Sequence, residues 1–83
     1  MEAVANLVRS IEREEWVCEL ALRQLGRKCG VFEKKYGMSS ESFRHAFLKG
    51  EMGDDLDFFK WKALIDAVDV WANTKTRLWK LKP

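Results

Sequence analysis

A chain of 83 residues makes one domain at most, and so short a chain buries a smaller share of its surface than a larger one, so its stability as a monomer is modest. Fifteen Lys plus Arg against 13 Asp plus Glu leave a net charge of +2, which excludes a global electrostatic pull toward nucleic acid or membrane. Four Trp, five Phe and one Tyr, within 47% hydrophobic residues, exceed what a thin helical hairpin hides, so an oligomer is expected.

At the N-terminus Glu2, Asn6, Arg9 and Glu12 interrupt any apolar region, so no signal peptide is expected. No run approaches the roughly 20 residues of a membrane span, and a cytoplasmic location without membrane contact follows. From about Glu2 to Tyr36, Val4, Leu7, Val8, Ile11, Cys18, Leu22, Leu25, Cys29, Phe32 and Tyr36 recur at helical spacing, which predicts one long helix over 2–36. Gly26 and Gly30 invite a bend or break there, or a close helix approach. On one helix Cys18 and Cys29 stand about 16 Å apart along the axis, too far for a disulfide, and read as small buried apolar residues in a reducing compartment.

The next segment is dense in boundary chemistry. Gly37 suits a left-handed residue just past a helix end, and Ser39 suits an N-cap. Met38 and Phe43 then have the spacing of a hydrophobic staple, with Glu41 in the first turn. A second helix is predicted over 40–49, carrying Phe43 and Phe47 as an apolar pair, with Gly50 ending it. Glu51, Met52 and Gly53 form a tight turn, and Asp54 is the expected cap of a third helix over 55–81, with Asp55 and Asp57 near its positive end. Its stripe is Phe58, Trp61, Leu64, Ile65, Val68, Trp71, Ala72, Leu78 and Trp79. With only Pro83 as proline and almost no strand patterning, the expected fold class is all-α. Two long antiparallel helices meet at a short helical corner and dimerise into a helical bundle, all within a single domain over 1–83.

Catalytic chemistry finds no support. No nucleophile motif, phosphate-binding loop or dinucleotide fingerprint occurs, and His45 has neither an oriented partner nor a pocket in view. Asp54, Asp55 and Asp57 match no calcium loop and are explained as helix starters, so neither metal nor cofactor is expected. Lys75, Arg77, Lys80 and Lys82, with Arg9, Arg13, Arg23, Arg27 and Lys28, open a nucleic-acid reading. The interleaved Glu12, Glu14, Glu15 and Glu19 give instead the mixed charge of a solvated face. Glu14 and Glu15 flank the main stripe and are expected to turn outward or to pair with a cation, for which Lys75 is a candidate.

The sharper signal is apolar surface off the main stripes: Trp16, Leu20 and Val31 on the first helix, and Phe59 and Val70 on the third. Two helices each with a second apolar line predict a protein interface, with Trp16, Leu20, Phe59 and Val70 among its contact residues.

The stretch YGMSSESFRHAFLKGEMGDDLDFFKW, about a third of the chain, resembles short prokaryotic helical proteins of an antitoxin-like group. Their shared pattern is Tyr-Gly-Met-Ser/Thr, a following Phe, Gly-Glu-Leu/Met-Gly-Asp, then an Asp and a Trp. Tyr36, Gly37, Met38, Ser39, Phe43, Phe47, Gly50, Glu51, Met52, Gly53, Asp54, Asp57 and Trp61 match it. The resemblance implies an antitoxin whose partner is a small toxin encoded beside it, neutralised by amphipathic helices and aromatic anchors, with Trp16, Phe59, Trp71 and Trp79 as the expected anchors and partner-binding residues. The chain departs from DNA-binding antitoxins in having no recognisable ribbon-helix-helix or helix-turn-helix module.

Overall fold

The apolar periodicity that opens the sequence becomes a single helix, α1, over Glu2–Tyr36, followed by α2 over Ser40–Leu48 and α3 over Leu56–Lys80. The computed structural model describes residues 2–83, so the expected domain start at residue 1 lies outside them. Among the described residues there is no strand, and no helix is long and apolar enough to cross a membrane. α1 runs through Gly26 and Gly30 without a break, and a Cβ on either would meet nothing within 4 Å, so neither glycine serves a close helix approach.

The two long helices pack against each other and run antiparallel, as their side-chain pairs require. Asp57 at the start of α3 meets Lys35 and Tyr36 at the end of α1, while Lys75 reaches Glu19 at 3.3 Å and Lys82 reaches Glu15 at 2.6 Å. Glu15 does pair with a cation, but this register changes which one. Lys75 pairs one turn further along α1 than Glu15, and Glu15 takes Lys82, which lies past the end of α3. Because α3 runs out opposite Glu15, the first turns of α1 have no partner helix, and Val4 and Leu7 are exposed although they continue the buried stripe. Trp79, assigned to the α3 stripe, is 65% exposed at that same far end.

The core is concentrated at the other end. Cys29, Phe43, Trp61 and Ile65 form its buried centre, ringed by Phe32, Tyr36, Met38, Phe47, Met52, Phe58 and Leu64. Toward the open end only Ile11 and Cys18 are buried among the described residues, and the molecule extends over 56 × 21 × 17 Å.

Candidate functional site

Local chemistry builds the corner. Gly37 takes φ +64°, and the Met38 amide donates to the Glu33 carbonyl at 3.3 Å, closing α1 with the six-residue bond of a Schellman motif. α2 ends the same way: Gly50 has φ +74°, its amide donates to Phe47, and the Glu51 amide donates to Ala46 at 2.9 Å. Ser39 caps α2 by accepting from the Ser42 amide at 3.1 Å, as its side chain and position require. The cap of α3 is Asp55, not Asp54: Asp55 has extended backbone and its carboxylate accepts from the Asp57 amide at 2.8 Å. The helix therefore begins at Leu56, one residue later than the pattern predicts.

A polar relay ties the three helices together at one point. The Glu33 carboxylate of α1 accepts from the Ser40 amide at 2.8 Å, and the Ser40 hydroxyl accepts from the Trp61 indole of α3 at 2.9 Å. Trp61 is fully buried, so without Ser40 its N–H would be an unsatisfied donor. Its ring stacks on Phe43 at 3.9 Å between centroids, with Phe32 and Tyr36 at 5.8 and 6.0 Å. Sequence reasoning passed over Ser40, whose position reads only as a polar first-turn residue. The spacing of Ser39 and Ser40 before an aromatic run is the single hint available.

On the outer edge of the corner Asp57 accepts from Lys35 at 2.6 Å and from the Tyr36 hydroxyl at 2.5 Å. The Lys35 bond, with that of Tyr36, holds the Asp57 carboxyl below its ordinary range. The same carboxylate raises Tyr36 and Lys35 above theirs. A lowered acid contributes stability that is present above about pH 4 and lost as pH falls through its folded value. A raised phenol or ammonium contributes stability that is present below about pH 10 and lost as pH rises through its folded value. The corner is therefore expected to be at full strength between those limits. Tyr36 is the one tyrosine of the chain, so its phenolate absorbance is a direct reporter. In Asp57→Asn the phenolate should appear at lower pH than in the parent; superimposable titrations would remove Asp57 from its assigned role.

The sequence-derived contact residues do not form one surface. Trp16 and Leu20 lie on the outer side of α1, 51% and 41% exposed, and Val31 continues their line at 64%. The Arg23 guanidinium lies 5.5 Å from the Trp16 ring and leaves much of it open. Phe59 is no free anchor: its ring meets Phe47 of α2 edge-on at 5.7 Å, although half its surface is still exposed. Val70 is exposed midway along α3 and Trp71 is half-buried. Trp79 lies about 30 Å from Phe59 by helical rise, with Lys82 5.1 Å from its ring.

Two open grooves run between α1 and α3. One, of about 290 Å³, borders α2 and is lined by Gly26, Cys29, Glu33, Ser40, Ile65 and Val68. Burial pushes the Cys29 thiol up, which keeps it protonated and unreactive. The other, of about 440 Å³, is lined by Lys28, Val31, Phe32, Lys60, Ala63 and Leu64, with no residue from α2. The lining of this second groove was not legible in the sequence beyond Val31, because it needs the register of the two helices. His45 is exposed, and among the described residues no three His, Cys, Asp or Glu gather as a metal site. Compared with known proteins, the chain matches no family, no curated protein and no solved structure.

Proposed function

We propose that this chain is a non-enzymatic protein-binding module, the antitoxin of a type II toxin–antitoxin pair. It acts in the cytoplasm and neutralises a small toxin encoded beside it by laying amphipathic helices over the toxin's functional surface. The observation that carries the reading is the line Trp16, Leu20 and Val31, large apolar side chains left in water along the outer side of α1. Side chains of that size stacked along one helix face supply the buried anchors that dominate protein interfaces. The resemblance of the Tyr36–Trp61 stretch to antitoxin-like proteins supplies the class of partner. Self-association into a helical bundle accompanies this reading at the far end, where Val4, Leu7, Trp79 and Leu81 are all exposed.

The nucleic-acid alternative loses ground because two of its cations are already engaged, Lys75 with Glu19 and Lys82 with Glu15. Co-expression with the neighbouring small protein is the test. A stoichiometric complex is expected, and Trp16→Ala should abolish it while leaving helicity and thermal midpoint unchanged, since that ring is half exposed. A lone homodimer indifferent to the neighbour would reject the antitoxin reading. Binding to nucleic acid that falls steeply with salt and is lost on neutralising Lys75, Arg77 and Lys80 would replace it.

A further inference from the structure

A pair of antiparallel helices has two grooves along its length, and either can seat a third helix by ridges-into-grooves packing. Here α2 borders one and leaves the other open. The open groove has a floor of hydrocarbon and phenyl ring, from Val31, Phe32, Ala63 and Leu64, and one lysine from each helix, Lys28 and Lys60. Neither lysine forms an ion pair among the described residues, whereas Lys35, Lys62, Lys75 and Lys82 all do. The carboxylate one turn before Lys60, Asp57, is already held by Lys35 and Tyr36. Helical spacing from Val31 back along α1 keeps Gln24, Leu20 and Val17 on the same flank, and spacing from Lys60 forward keeps Ala67 and Trp71. Between Val17 and Val31 on α1 and between Lys60 and Trp71 on α3, the residues named on that flank are apolar or basic apart from the neutral Gln24.

The geometry points to an acidic amphipathic helix of a partner protein as the occupant of this groove. Its apolar side chains at i, i+3, i+4 and i+7 lie on the floor, and carboxylates on its two flanks face Lys28 and Lys60. This rests on the reading of the chain as a protein-binding module and adds the chemistry of the partner segment. A second copy is a poor occupant, because a two-fold contact would set the same two ammonium groups against themselves. Nucleic acid is a poor one because the floor offers bases no hydrogen-bonding group.

The probe is a synthetic helix with Leu at the four floor positions and Glu on both flanks, beside a sister peptide with Lys in place of Glu. Each is titrated into the full chain and followed by backbone amide shifts. The Glu helix is expected to bind and to move the resonances of Val31, Phe32, Ala63 and Leu64. The double variant Lys28→Glu/Lys60→Glu, at two exposed positions that leave the helices intact, should bind it at least about tenfold more weakly and accept the Lys helix instead. Equal binding of both peptides, or of one peptide by both proteins, overturns the proposal. So does a drop in sedimentation mass on charge reversal, which would make the groove a self-contact, and so does displacement of the Glu helix by nucleic acid. If the neighbouring toxin binds the charge-reversed chain as it binds the parent, the groove assignment falls while the antitoxin reading stands. If the Glu helix binds as expected and the toxin does not bind at all, the reverse holds.

Discussion

Trp61→Ala is expected to destabilise the chain by about 3–5 kcal/mol, the usual cost of deleting a fully buried indole. For a short chain whose total stability lies at the low end of the usual range, about 5 kcal/mol, the upper part of that cost would leave a large unfolded fraction at 37 °C. The estimate follows from three losses at once. The ring fills the junction of all three helices, it stacks on Phe43 at 3.9 Å, and its N–H holds the Ser40 hydroxyl at 2.9 Å. Trp61→Phe keeps an aromatic ring and drops the donor, so it should cost clearly less. Ser40→Ala strands the indole N–H and should cost about 1–3 kcal/mol. Urea unfolding followed by circular dichroism ranks the three variants. A Trp61→Ala midpoint close to that of the parent would show that the corner does not hold the fold.

Gly53→Val carries the second large effect, for a different reason. Gly53 has φ +79°, a backbone region that costs an L-residue about 1–2 kcal/mol and a β-branched one more. A Cβ at this position would meet nothing within 4 Å, so the cost is conformational and not a clash. Side-chain size as such should therefore matter little, and the ranking should follow tolerance of the left-handed region: Asn least harmful, then Ala, then Val. Since the turn sets where α3 begins, the Val variant should also lose the Glu33 to Ser40 to Trp61 relay, visible as a shifted indole N–H resonance. An Asn variant less stable than the Val variant would refute a conformational origin.

What could be read from the sequence was whatever local chemistry decides. Gly37, Gly50 and Ser39 are placed by the demands of a helix end, which neighbouring residues alone impose. Asp54 and Asp55 are equally good caps in isolation, and the choice fell to the one whose carboxylate reaches the Asp57 amide. The partner of Glu15 depends on how the corner sets the register of α3, which no local pattern encodes. Val4 and Leu7 continue an apolar stripe correctly, yet a stripe does not record where the opposing helix stops. Phe59 lies off the α3 stripe, but α2 offers a second wall in Phe47, so an off-stripe ring is partly housed. For the same reason the expected contact residues scatter: a helical wheel sorts faces, not positions along 56 Å of molecule.

The aromatic core sits at one end of this molecule, while among the described residues Ile11 and Cys18 are the only buried ones toward the other. Such a distribution makes opening unequal along the hairpin, as with a clothes peg whose spring is at one end. The tips of α1 and α3 can part and exchange their amide protons while the corner remains closed, so their opening free energy is a fraction of the global one. The exposed Trp79 and the overhanging turns of α1 thus belong to the part of the molecule whose spacing can change without cost to the corner. Protection of the backbone amides against exchange should accordingly fall from the corner toward the tips.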